Sequence, residues 1–345
     1  MDTWQDLLID LIVIVIFMAG IAQFRTPAGA RRGNITTALA FAAALALLVY
    51  RNTIGHPWAV VAAFAAGGAL GWLVSAKITM TRIPALIALQ NGAGGGAALV
   101  VASIELARMG AAPDPLAAVF GVAGALVGGV ALSGSLVAAA KLENRMSPRP
   151  RTLRAHNLIL AMLLVTILPL GTLSLSIEGA AHLAAIIILA AVTLVLGIVF
   201  SIRVGGADMP VMISLLNAFS GLAAAFVGVT IGNQMLVAAG AMVGSSGTIL
   251  TLVMARAMNR SIGAILVGRQ IAEAAPIVTA GSAETAVAET PAQPAASAIP
   301  PLERARIALT EATSVIIIPG YGMALAQAQG EVATLAAKLE AAGKL

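Results

Sequence analysis

The chain contains no cysteine, and only 10% of its 345 residues are charged. Without thiols it forms no disulfide, holds no thiolate-ligated iron–sulfur cluster and offers no cysteine nucleophile. Any redox chemistry must then be carried by a bound cofactor rather than by the chain itself. Histidine is nearly as scarce: His56, His156 and His182 are the three in the sequence. They fall in loops or near segment ends, with no metal-ligand spacing between them. The basic residues give a net charge of +5, but they are scattered at segment ends instead of forming a patch, so the charge reports on topology and not on nucleic acid.

What the chain has in abundance is apolar and small residues: 59% are hydrophobic, 35 are glycine, and the mean hydropathy is +0.97. Such a composition defines a polytopic membrane protein. A helix crosses the ~30 Å hydrocarbon layer with about 20 residues. On that measure nine spans are predicted, at about 7–23, 35–50, 58–76, 84–106, 116–140, 157–175, 181–202, 209–229 and 235–258. The first is preceded by Asp2 and Asp6 and carries Asp10, the opposite of a basic signal-peptide n-region, so it reads as an uncleaved helix. Alternate loops hold very different numbers of basic residues. One set carries Arg25, Arg31, Arg32, Lys77, Arg82, Lys141, Arg145, Arg149, Arg151, Arg154, Arg203, Arg256, Arg260 and Arg269, against Arg51 and Arg108 in the other. This asymmetry puts the N-terminus outside and the C-terminus in the cytoplasm.

Polar residues inside the spans are the candidates for function. The fourth span carries Gln90-Asn91 ahead of Gly92-Ala-Gly-Gly-Gly96, which reads either as a tight helix crossing or as the lining of a hydrated passage. The eighth is approached through Gly205-Gly206-Ala207-Asp208-Met209-Pro210 and carries Asn217 near its middle, either as interhelical glue or as part of an ion path. The ninth carries Gly244-Ser245-Ser246-Gly247, where the glycines suit close packing or a moving contact, and it leads to Arg256 and Arg260.

From 270 to 301 the composition turns to Ala, Glu, Thr, Pro and Ser and reads as a linker. A helix is predicted over 302–312, a buried β-strand over Ser314–Ile318, a turn at Gly320-Tyr321-Gly322, and a helix over 323–342. Strand, glycine turn and helix in that order is the context of a dinucleotide fingerprint, with the pyrophosphate at the helix N-terminus. The residues that would meet it are Gly320, Tyr321, Gly322, Met323 and Ala324; the third glycine of the usual fingerprint is replaced by Leu325. The expected architecture is therefore an all-α polytopic membrane bundle (1–265), a linker (266–301) and a partial α/β Rossmann-like unit (302–345).

The GGADMP approach, the LLNAFSG and VGSSGTIL helices, the MNRS exit and the block Ser314–Gln329 (SVIIIPGYGMALAQAQ) resemble the beta subunit of proton-translocating NAD(P) transhydrogenase. The similarity covers the whole chain, which is expected to stop short of the family's usual C-terminus. It implies reversible hydride transfer between NAD(H) and NADP(H) coupled to proton movement, in a bacterial inner membrane. It also implies NADP(H) on this chain, NAD(H) on a separate alpha subunit, a dimer of alpha–beta units, and membrane lipid but no nucleic acid as a partner. Many family members have a histidine, thought to serve proton passage, at the position aligned with Gln90. A glutamine does not titrate near neutral pH and could only order water. The coupling region is expected at Asp208–Asn217 and Gly244–Gly247, joined through Arg256 and Arg260 to the cytoplasmic part. A secondary transporter or a non-catalytic scaffold is the rival reading, since glycine-broken helices with amides at mid-depth also suit a solute site. A lone strand has no sheet to join, so the 345-residue chain by itself is expected to bind NADPH only weakly.

Overall fold

The computed structural model describes residues 3–23, 26–51, 54–109, 114–267, 301–318, 323 and 329–344. They fall in two compact units, 1–269 and 270–345.

Among the described residues of the first unit, nine helices are long and apolar enough to cross a membrane. They are α1 (Thr3–Ala22), α2 (Pro27–Arg51), α3 (Pro57–Lys77), α4 (Ile83–Arg108), α5 (Pro115–Leu142), α6 (His156–Ser176), α7 (Ala180–Ile202), α8 (Met209–Thr230) and α9 (Gln234–Ala257). A short α10 (Ile262–Leu266) follows. The helix ends obey local chemistry. Proline stands in the first turn of α3, α4, α5 and α8, where its missing N–H is no loss. Asp114 accepts from the Leu116 and Ala117 amides at the start of α5, and Asn233 accepts from Leu236 at the start of α9. Arg51, Lys77, Arg108, Lys141 and Arg256 sit in last turns, complementing the helix dipole.

α5 and α8 are the innermost helices. α5 packs on α4, α6, α7 and α8, while α8 packs on α4, α5 and α9. Small residues let these backbones approach: a Cβ added to Gly128 of α5 would lie 2.7 Å from the Gly95 carbonyl of α4, so the glycine run of α4 does form a tight crossing. α1 and α2 form a hairpin tied by Arg51 to Asp6 and Asp10 (3.2 and 2.6 Å), and α1 touches α9. α3 buries none of its residues.

The second unit departs from expectation. Its described helices are α11 (Pro301–Glu311) and α12 (Gln329–Ala341). The strand predicted over Ser314–Ile318 does not form; no strand occurs among the described residues. Ile316 and Ile318 are exposed, and the segment's backbone bond is from the Val315 amide to the Lys344 carbonyl (2.7 Å). The run of β-branched residues favours an extended chain, but a strand also needs a neighbour to complete its ladder, and none is present among the described residues. The α/β Rossmann-like expectation is therefore not met by these residues.

Candidate functional site

Of the residues singled out on α4, α8 and α9, Asn91, Asn217 and Gly247 lie along the two seams that flank α8, whereas Gln90, Ser245 and Ser246 are exposed. Asn91 and Gln90 are adjacent in sequence yet separate in role, because successive helical residues point about 100° apart. Asn91 is buried, and its Nδ2 donates to the Ile213 carbonyl of α8 at 3.2 Å. Gln90 faces outward and is exposed. One turn beyond this pair, Gly94 faces Ser220 of α8: an added Cβ would lie 3.7 Å from the Ser220 Cβ. Ser220 is in turn one turn beyond Asn217, and its hydroxyl donates to the Asn217 carbonyl at 2.8 Å. Helical spacing thus sets Asn217 level with Gln90 and Asn91 on the α4–α8 seam. Asn217 is half-buried, and its side-chain amide bonds no described residue. The interhelical tie on this seam is made by Asn91.

On the other flank α8 meets α9 with backbones nearly in contact. A Cβ on Gly247 would lie 2.9 Å from both Cα and N of Ala218, whereas one on Gly244 would meet nothing nearer than 3.4 Å. A small polar cluster spans this crossing. The Ser214 hydroxyl donates to the Gly247 carbonyl at 3.2 Å, and Thr251 Oγ1 lies 2.7 Å from the same carbonyl and 3.1 Å from Ser214 Oγ. All three residues are buried. Ser245 and Ser246 turn away from α8; they are exposed, and their hydroxyls donate to the Ala241 and Val243 carbonyls of their own helix. That back-bonding satisfies a hydroxyl in an apolar setting without a partner helix.

The ends of α8 and α9 that follow the basic loops are joined by charge. Asp208, the residue before α8, accepts from Arg260 at 2.9 Å, with side chains 14% and 10% exposed. Asp208 makes no side-chain capping bond to α8 and is turned toward the arginine instead. Asn259 holds the left-handed conformation (φ 52°) that ends α9 and turns the chain to present Arg260. A cavity of 480 Å³ lies beside this pair, lined among others by Arg256, Asn259, Arg260 and Ser261.

Three residues escaped the sequence reading. Ser214 and Thr251 look like ordinary hydroxyls, although Ser214 stands one turn before Asn217 and Thr251 one turn after Gly247, spacings that place them on the same faces. Lys141 was counted as a loop cation, but it is buried and bonds the end of α7. Of the residues expected to meet a nucleotide, Gly320, Tyr321, Gly322 and Ala324 lie outside the described residues; Met323 is described as half-buried and helical.

Residues 7–345 match the family model described as NAD(P) transhydrogenase beta subunit. Among curated proteins, the chain is similar to NAD(P) transhydrogenase subunit beta of Rhodospirillum rubrum, both as recorded for the species and for one of its strains. Each is 35% identical over 343 residues, covering 95% of this chain and 70% of the relative.

Proposed function

Because the chain belongs to the NAD(P) transhydrogenase beta subunit family, we propose that its α4–α8–α9 seams carry the proton passage of the enzyme. As a subunit of that enzyme it acts with an alpha subunit and uses nicotinamide nucleotides, coupling hydride transfer between NAD(H) and NADP(H) to proton movement through its membrane helices. The observation that supports the seam assignment is the pairing of an amide left without an interhelical bond, Asn217, with an outward-facing glutamine at the same level, Gln90. Uncompensated amides are costly in hydrocarbon, so these groups must meet water or helices of another chain. Membrane helices of the alpha subunit against this face would enclose the passage, and water ordered by Gln90 and Asn217 would conduct through it.

Asp208 and Arg260 form the cytoplasmic end of the moving pair. Gly247 lets α9 slide on α8, with Gly244, Ser245 and Ser246 completing the flexible stretch. Alternation of proton access requires an element with two arrangements whose balance nucleotide occupancy shifts. The α8–α9 crossing suits this role, since at Gly247 the two backbones approach closely and the contact is made by small groups.

NADP(H) belongs to this chain through the turn Gly320–Ala324, and NAD(H) to the alpha subunit. The described residues near that turn do not by themselves fit a dinucleotide: Ser314–Ile318 lacks sheet neighbours, and Ile316 and Ile318 are exposed. The enzyme sits in a bacterial inner membrane as a dimer of alpha–beta units, in contact with lipid, with the N-terminus outside and the C-terminus cytoplasmic. Support for the orientation comes from the basic loops.

The test is reconstitution with the alpha subunit in sealed vesicles. Hydride transfer from NADPH to an NAD analogue should occur only with both subunits present and should build a pH gradient that a protonophore abolishes. Hydride transfer without proton movement would refute the coupling role, and no transfer at all would refute the activity.

A further inference from the structure

Lys141 stands in the last turn of α5 and is 1% exposed. Its Nζ lies 2.6 Å from the Ile202 carbonyl and 2.6 Å from the Val204 carbonyl, on either side of Arg203, the residue that follows α7. Among the described residues no carboxylate pairs with it. A buried cation without a counter-ion is strongly penalised unless acceptors take its protons, and two of the three on Lys141 are taken. Here the compensation comes from charge-assisted bonds to two carbonyls and from the negative end of the α7 dipole.

The same turn is gripped from two further directions. The Arg151 amide also donates to the Ile202 carbonyl (3.1 Å), and the Gly206 amide donates to the Pro148 carbonyl (2.7 Å). A Cβ on Gly206 would lie 3.0 Å from the Pro148 Cβ, and one on Gly205 3.1 Å from Pro150 Cγ, so the α5–α6 loop lies close against both glycines and would shift by a few tenths of an ångström for a larger residue. Arg203 turns the other way and donates to Asn157 Oδ1 of α6 at 3.1 Å; burial pulls its pKa below the ordinary arginine value. Residues 202–204 are thus pinned by α5, by α6 and by the loop between them. Four residues later Asp208 is bound to Arg260, at the far end of α9. The only glycines between the two anchors are Gly205 and Gly206.

We propose that Lys141 is a positioning residue for coupling: it fixes the α7–α8 turn, so that displacement of Arg260 swings α8 about this clasped turn and reaches Asn217 and Gly247. Without the fixed point the displacement would be absorbed by movement of residues 202–204 as a block. This inference rests on the coupling role proposed above for α8 and α9.

The test uses the alpha–beta complex in vesicles. In Lys141→Met, proton uptake per hydride transferred should fall about ten-fold, inside the 5–150-fold span of ordinary coupling energies. Hydride transfer measured with a protonophore should stay within about two-fold of the unmodified complex, as expected when only transmission is lost. Lys141→Arg should recover part of the ratio, because a guanidinium also donates to two acceptors. A lower melting temperature with an unchanged ratio would leave Lys141 a helix cap and overturn the proposal. A second experiment does not depend on the folding of Lys141→Met. The chain has no cysteine, so Pro148→Cys with Gly206→Cys gives a single possible cross-link across the clasp. Full coupling in the oxidised form supports a clasp that stays shut; coupling lost on oxidation and regained on reduction overturns it. Absence of hydride transfer in the unmodified complex would sink the functional reading together with this one, whereas a coupled unmodified complex that fails only when cross-linked sinks this one alone.

Discussion

Gly247→Ala adds one methyl where no room exists. The new Cβ would stand 2.9 Å from Cα and N of Ala218, both backbone atoms that no rotamer change can move. Ordinary carbon contacts are at about 3.5–4.0 Å, so α8 and α9 must part by roughly 0.5–1 Å at this level. Overpacking of this kind costs about 1–3 kcal/mol. Parting also stretches the bond from Ser214 Oγ to the Gly247 carbonyl, already 3.2 Å long, beyond hydrogen-bonding range. A lost bond of this type in a membrane protein costs about 0.6 kcal/mol. The sum, about 2–4 kcal/mol, is resolvable by thermal unfolding of the detergent-purified chain and should be accompanied by loss of coupled turnover. Gly244→Ala is the matched control. Its Cβ would meet its nearest neighbours at 3.4 and 3.5 Å, an ordinary contact. Replacing a mid-helix glycine by alanine adds about 0.5–1 kcal/mol of helix stability, so this variant should be neutral or slightly stabilised. Equal midpoints and equal turnover for the two variants would refute the close-approach reasoning.

In the complete enzyme, Asn217→Leu should abolish proton-coupled transhydrogenation while both nucleotides still bind, and Asn217→Ser should keep some coupling; normal proton pumping by the leucine variant would exclude Asn217 from the passage. Reporter fusions after Arg154 or after Arg269 should read cytoplasm and one within 51–57 should read outside, the reverse at two of these sites being fatal to the orientation. Arg260→Gln leaves Asp208 nearly buried without its cation and should destabilise the cytoplasmic end by about 1–3 kcal/mol, below the 3–5 of a fully buried pair because a tenth of each side chain meets solvent. Exchange of the two residues, Asp208→Arg with Arg260→Asp, should recover most of that loss, and a double variant no better than Arg260→Gln would deny the pairing its role.

Much of the membrane architecture was legible because it follows from run length alone. Nine apolar stretches gave nine helices with ends displaced by a few residues. The largest shift is at α2, which starts at Pro27 rather than near 35. Arg31 and Arg32 lower the hydropathy of that stretch, but proline at the first position and long side chains are compatible with a helix at the membrane surface. The strand over Ser314–Ile318 was misread for the opposite reason: β-propensity is a property of the residues, whereas a strand is a property of a pair. Lys141 was hidden because its acceptors, the carbonyls at the end of α7, lie some sixty residues away and come together only in the fold. Gln90 and Asn91, taken together from sequence, were divided by the packing of α4 on α8.

That division bears on the proton passage proposed for these seams. Among the described residues of α4, α8 and α9, ionisable side chains stand only near the ends, at Glu105, Arg108 and Arg256, with Asp208 just before α8. The groups at mid-depth are amides and hydroxyls, which orient water but hold no transferable charge near neutral pH. Asn91 has spent its amide on Ile213, and Ser214 and Thr251 have spent their hydroxyls on Gly247. Gln90 and Asn217 are the amides left over. The passage proposed for these seams would therefore be a water file ordered by two amides, or it would borrow a titratable group from a facing helix. Gln90 lies on the exposed side of α4, where a helix of another chain would meet it directly. On the proposed reading, a titratable group that acts on the file would come from that partner, with α8 and α9 as the moving pair.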